Sequence, residues 1–132
     1  MPAFSTKSLA RLETCHPSLQ RVAKQAIVRF DFVVLCGHRG KAEQDDAYER
    51  GHSKLRWPQS KHNQAPSLAI DIAPYPINWN DVKAFHDLAR VILDEAEKID
   101  VKLRWGGDWN GNGRPDEKFI DLPHFELLER KR

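Results

Sequence analysis

The sequence is short of everything that marks a disulfide scaffold, a membrane protein or a nucleic-acid binder. Only two of its 132 residues are cysteine, Cys15 and Cys36. Their separation matches no metal-binding spacing, and so sparse a pair fits a reduced cytoplasmic protein better than a disulfide framework. No apolar run approaches the ~20 residues of a membrane span. Met1 to Leu12 contain neither a continuous apolar stretch nor a small-residue cleavage site, so no secretory signal is read there. Repeats, low-complexity tracts and linkers are also missing. Charge of one sign is not in excess: 21 Lys and Arg against 19 Asp and Glu give a net +2. That balance argues against an obligate nucleic-acid partner, which would be met by a clustered basic surface. The tail Arg130-Lys131-Arg132 reads as a solvated terminus.

What is present is an ordinary soluble composition, 40% hydrophobic and 30% charged, in a chain long enough for one real core. A single domain over residues 1–132 is expected, with its core at about 17–128. Pro17 and Ser18 open a helix to about Arg29, with Leu19, Val22, Ala23, Ala26 and Ile27 on one face. Phe32 to Leu35 reads as a buried strand ending at Gly37. Lys41 to Arg50 is a polar helix stopped by Gly51. Leu68 to Ala73 is a short strand closed by Pro74 and Pro76. Asn78 or Asn80 caps a helix from about Asp81 to Ile99, whose stripe is Val82, Phe85, Leu88, Ala89, Ile92, Ala96 and Ile99. Val101 to Trp105 and Pro123 to Leu128 read as strands around a Gly/Asn/Asp-rich loop, Gly106 to Lys118. Helices and strands mix without βαβ alternation, so the class is α+β.

Three separated segments carry the chemistry: Ser60-Lys61-His62, Ala69-Ile70-Asp71 and Asp121-Leu122-Pro123-His124. Two histidines and a carboxylate suit a catalytic zinc, because three protein ligands leave the fourth position open for water. Asp121, three residues before His124, is a candidate general base, and Glu126 is its rival or a supporting carboxylate. Asp71 lies between Ile70 and Ile72, whose side chains point to the opposite face of a strand. Arg39 is a candidate for the oxyanion or for a substrate carboxylate, since a guanidinium grips such groups bidentately. Ser60 is read as orienting the ligand loop. Alone, each of these residues has a plainer reading: Asp121 as a turn cap, Arg39 as a surface ion pair, Ser60 as a turn serine. His16, His52 and His86 are read as helix-start, loop and helix-face residues. Asp108, Asn110 and Asn112 follow the first half of a calcium loop, which Asp116 or Glu117 would have to complete because Phe119 stands where an EF-hand has glutamate. The alternative there is a turn-rich loop. Trp105 is assigned to the core, and Trp109 could line a groove.

Together these segments resemble the LAS-type zinc peptidases, whose members include D-alanyl-D-alanine carboxypeptidases, phage L-alanyl-D-glutamate endopeptidases and the hedgehog signalling domain. The pattern Ser-x-His, Ala-x-Asp and acid-x-x-His is matched by the segments above. The stretches Asp71 to Pro76 and Trp79-Asn80-Asp81 are similar to phage lysis enzymes, and Gly37-His38-Arg39 with Gln44 resembles the family's Gly-x-Arg element. The likeness spans about residues 17–128. It departs where Asn63 to Ser67 lengthen the turn between His62 and Asp71. It implies a hedgehog/DD-peptidase-like fold, a mainly antiparallel sheet packed with helices, and one zinc on His62, Asp71 and His124 with Asp121 as base. An aspartate in the acid position resembles the endopeptidase branch. The function implied is a phage-type endolysin cutting the L-alanyl-D-glutamate bond of peptidoglycan stem peptides. The alternatives are a D-alanyl-D-alanine carboxypeptidase and a non-catalytic zinc-bearing domain. A monomer is expected, made in the host cytoplasm and acting on the wall after the membrane is breached.

Overall fold

In the computed structural model, residues 3–109, 111 and 120–128 are described. Among the described residues, four helices, α1 (Thr6–Leu12), α2 (Pro17–Ala26), α3 (Lys41–Glu49) and α4 (Val82–Lys98), accompany four strands, β1 (Phe32–Cys36), β2 (Ala69–Pro74), β3 (Leu103–Trp105) and β4 (His124–Leu127). The strands form one sheet in the order β1-β2-β4-β3, and every neighbouring pair is antiparallel. The architecture is α+β, as the mixed periodicities imply.

Strand alternation divides the sheet into two chemical faces. Ile70 and Ile72 of β2 and Phe125 of β4 are buried with Leu19 and Val22 of α2 and Leu88 and Ile92 of α4. Asp71, His124 and Glu126 occupy the intervening positions and so face the other way. Burial of a side chain such as Phe125, 1% exposed, contributes about 1.5–3 kcal/mol. The face that carries Asp71, His124 and Glu126 is therefore held by a packed layer behind it.

Helix ends follow their capping chemistry. His16 accepts from the Ser18 amide ahead of Pro17 at the start of α2. That helix stops at Ala26, short of the expected Arg29, and passes into a turn in which the Arg29 and Phe30 amides both donate to the Ala26 carbonyl. α4 is capped by Asp81, which accepts from the Ala84 amide at 3.1 Å. Neither asparagine expected there is the cap: Asn78 instead accepts from the Asn80 amide. Val82, expected on the apolar stripe, is instead 49% exposed.

The sequence pattern did not announce α1. Its role is to cover the open edge of β1: Ser8 Oγ accepts from the Val34 amide at 3.0 Å, and Arg11 Nη1 donates to the Val34 carbonyl at 3.0 Å. An edge strand left bare would be a site for mispairing. Cys15 and Cys36 are free thiols. The tail Arg130 to Arg132 lies outside the described residues.

Candidate metal centre

Register brings the separated segments together. Asp71 of β2 is the pairing partner of His124 of β4, so their side chains share one face. His62 arrives from a 3-10 turn, Lys61–Asn63, capped by Ser60, whose hydroxyl accepts from the His62 amide at 3.2 Å. That turn is tied to the sheet by Leu68 N–H to the Lys61 carbonyl and by Arg39 N–H to the His62 carbonyl.

Three atoms converge. His62 Nε2 is 3.2 Å from Asp71 Oδ1, His124 Nδ1 is 3.1 Å from the same oxygen, and the two nitrogens are 3.3 Å apart. Tetrahedral ligands at the usual zinc distances of about 2.0–2.2 Å stand roughly 3.3 Å from one another. The outer nitrogens fix the ring tautomers. His62 Nδ1 is 2.7 Å from the Gly37 carbonyl, which can only accept, so Nδ1 carries the proton and Nε2 offers a lone pair. His124 Nε2 is 2.8 Å from Glu126 Oε1, which leaves Nδ1 as the lone-pair atom. Such outer partners orient metal-binding imidazoles. Donor set, spacing and tautomers all fit a zinc ion.

The other acids divide by their commitments. Glu126 is engaged by His124, by Arg104 at 2.8 Å and by Lys61 at 3.2 Å. Burial pushes its carboxyl up, but His124 and Arg104 outweigh this and hold it at about 2. Asp121 places a carboxylate oxygen within 4.8 Å of ligand atoms of Asp71 and His124. Burial, and then the Asp71 charge, raise its pKa above the usual carboxylate value. Burial opposes charge on Asp71 too, yet His62 and His124 hold its pKa well below the ordinary range. Burial lowers His62, but the Asp71 carboxylate more than reverses that and raises it to about 10. His124 is raised by hydrogen bonds to Asp71 and Glu126 against the same burial. The centre thus draws in positive charge.

Arg39 sits against the centre: Nη2 is 3.3 Å from Asp71 Oδ2, and Nη1 donates to Gln44 Oε1 at 3.0 Å. Asn63, read in the sequence only as part of the longer turn, donates to the Arg39 carbonyl and to Gln44. Two glycines also matter and had no spacing signal beyond the motif. A Cβ on Gly37 would lie 2.6 Å from the Arg11 carbonyl, and one on Gly106 would lie 2.1 Å from the Asp121 carbonyl. Gly106 exchanges backbone hydrogen bonds with Asp121 and His124, so its bareness sets where Asp121 stands. Cys36 forms with His62 and Asp71 a second group whose possible ligand atoms lie within 4.8 Å of one another; its Sγ is 3.9 Å from His62 Nδ1, the nitrogen already given to Gly37.

The centre opens into a groove of about 1040 Å³ whose walls include Trp79, Phe85, Arg104, Trp109 and Ile120. Trp109 lies 5.3 Å from His124, with the Arg104 guanidinium 5.4 Å from its ring. Trp105 belongs to the core and donates to the Leu122 carbonyl at 2.8 Å. His16 caps α2 and His86 packs on Trp105, away from the ligands; His52 lines the groove. Of the calcium candidates, Asn110, Asn112 and Asp116 lie outside the described residues. Asp108 sits in the turn after β3, its amide donating to the Trp105 carbonyl and its carbonyl accepting from Gly111.

The geometry agrees with what known proteins of similar sequence and shape are called. An L-alanyl-D-glutamate peptidase of Escherichia phage T5 is 36% identical over 134 residues, spanning 95% of this chain and 97% of its own. The crystal structure of the Serratia marcescens L-Ala D-Glu endopeptidase ChiX superposes with a TM-score of 0.76 at 25% identity, covering 96% of this chain and 91% of that one. The family model described as phage L-alanyl-D-glutamate peptidase matches residues 2–128, and the chain belongs to that family.

Proposed function

We propose that this protein is a zinc-dependent endopeptidase that hydrolyses the L-alanyl-D-glutamate bond of peptidoglycan stem peptides, in the manner of a phage endolysin. The observation that carries the reading is the convergence of His62 Nε2, Asp71 Oδ1 and His124 Nδ1 at 3.1–3.3 Å on the floor of an open groove. Family membership supports the peptidase class and the bond. A zinc ion held by these three residues would supply a Lewis acid for the scissile carbonyl and a water of lowered pKa.

The chain's own groups do the rest. Gly37 and Glu126 hold the two imidazoles with their lone pairs inward. Arg39, steadied by Gln44, neutralises the outer oxygen of Asp71; this placement favours a part in holding the ligand over a direct grip on the substrate. Asp121 is the acid placed to take a proton from the attacking water and deliver it to the leaving amine. Its raised pKa suits a group that must both accept and release that proton. Glu126, saturated by three partners, is left to orient His124. Asp108, Asn110, Asn112 and Asp116 are proposed as a calcium loop on sequence grounds.

Activity is on the cell wall. No helix among the described residues is long and apolar enough to cross a membrane. Synthesis in the host cytoplasm, monomeric action and release through a membrane lesion complete the proposal. Digestion of purified peptidoglycan, with termini identified by mass spectrometry, tests it. Stem peptides beginning at D-glutamate, with L-alanine left on the lactyl-sugar, are expected. Free D-alanine with the L-alanyl-D-glutamate bond intact would establish a carboxypeptidase instead.

A further inference from the structure

The groove lining mixes charged and apolar side chains. Past His124 in the direction of β4, Lys61 and Arg104 flank Glu126, two cations to one anion. On the other side of His124 the chain holds Ile120, Leu122 and Pro123, and the groove wall also includes Phe85 and Trp79. Trp79 is unusual among its aromatics. It is 58% exposed, while Phe85 beneath it is 3% exposed. The two rings are stacked, with centroids 5.6 Å apart and planes 21° from parallel. One indole face is therefore fixed against the protein and the other is open. Trp109, by contrast, is already flanked by His124 and Arg104.

We propose that Trp79 is a sugar subsite, the platform on which the pyranose ring bearing the stem peptide stacks. The inference rests on the bond assigned above. In that substrate a single residue, L-alanine, separates the scissile bond from the lactyl group on the sugar. One extended residue spans only about 3.3–3.6 Å and the lactyl link adds about as much again, which keeps the ring at the groove wall when the bond reaches the metal centre. On the other side of the bond, D-glutamate continues through its γ-carboxyl and keeps a free α-carboxylate. That anion suits Lys61 and Arg104, while the open indole face of Trp79 suits the sugar. The C–H face of a pyranose carries slight positive charge and matches the negative face of an indole. The held ring costs little ordering on binding, because Phe85 already fixes it.

The test compares two substrates, a disaccharide-tripeptide and the same tripeptide capped by N-lactoyl in place of the sugar. Wild-type protein should prefer the first in kcat/KM, mostly through KM. Trp79→Leu keeps an apolar cover on Phe85 but removes the flat ring. It should cut that preference roughly 10-fold, equivalent to about 1.4 kcal/mol, and a thermal melt checks the fold. Trp79→Phe should restore part of it. Trp57→Ala, an exposed tryptophan away from the groove wall, should leave the preference unaltered. An unchanged preference in Trp79→Leu, whatever the absolute rates, overturns the proposal. Equal cleavage of both substrates by wild type overturns the sugar subsite alone. Cleavage of neither overturns the peptidase reading with it.

Discussion

Removing Glu126 should loosen the metal without touching a ligand. In Glu126→Ala the His124 Nε2–H loses its acceptor at 2.8 Å, and nothing then fixes which nitrogen of that ring faces Asp71. Loss of such an outer partner weakens metal binding about 10–100-fold, or roughly 1.4–2.7 kcal/mol. The cost to the fold should be smaller. Arg104 keeps its position over Trp109 and Lys61 keeps the Leu127 carbonyl, and Arg104 is 42% exposed, so solvent screens the broken pair. A few degrees in Tm is the expected scale. Zinc affinity would be measured by competition with a chromophoric chelator, and kcat/KM at saturating zinc. Glu126→Gln is the control, because its amide oxygen still accepts from Nε2–H. It should bind zinc far better than the alanine variant. Wild-type affinity in Glu126→Ala would refute the argument. A 100-fold rate loss in Glu126→Gln at saturating zinc would make Glu126 the base instead.

Asp121→Asn should retain zinc and fold while losing roughly 10²–10⁴-fold in kcat; near-normal turnover would end its assignment as base. In metal-free protein, His62 has a folded pKa of about 10, above its unfolded 6.5. Its contribution to stability is therefore complete below pH 6.5 and lost as pH rises to about 10. Tm in the presence of a chelator should fall across that window, and saturating zinc should flatten the fall, because the ion replaces the proton's charge; parallel curves would contradict this. Calcium at millimolar concentration should raise the Tm of the zinc-loaded protein by linkage if Asp108 and its neighbours form an oxygen cage, and an unaltered Tm with no heat of binding would retire that loop.

The legible parts of this protein were those encoded in local period and residue chemistry. A period of two around Asp71, with Ile70 and Ile72 beside it, is enough to point the acid away from the core. The same rule puts His124 and Glu126 together. Helices α2, α3 and α4 were visible because their apolar faces, caps or stop signals lie within each segment. α1 was not, because a seven-residue helix owes its existence to the bare edge of β1, which no local pattern reveals. The choice of Asp81 as the cap of α4 over two nearby asparagines likewise depends on where the chain enters the helix.

The sequence by itself determined which donors were available, and that two of them would stand on strands. Only tertiary structure decided their union. Asp71 and His124 are 53 positions apart and meet because β2 and β4 pair in one register; a shift of one residue would turn one of them to the opposite face. Which imidazole nitrogen offers its lone pair depends on Gly37 and Glu126, neither of which touches the centre directly. Arg39 was legible as a cation near the site, but not as the partner of Asp71, because that contact spans elements. Electrostatics followed the same division: the charges are written in the sequence, while the pKa shifts come from burial and from distances that exist only once the sheet has formed.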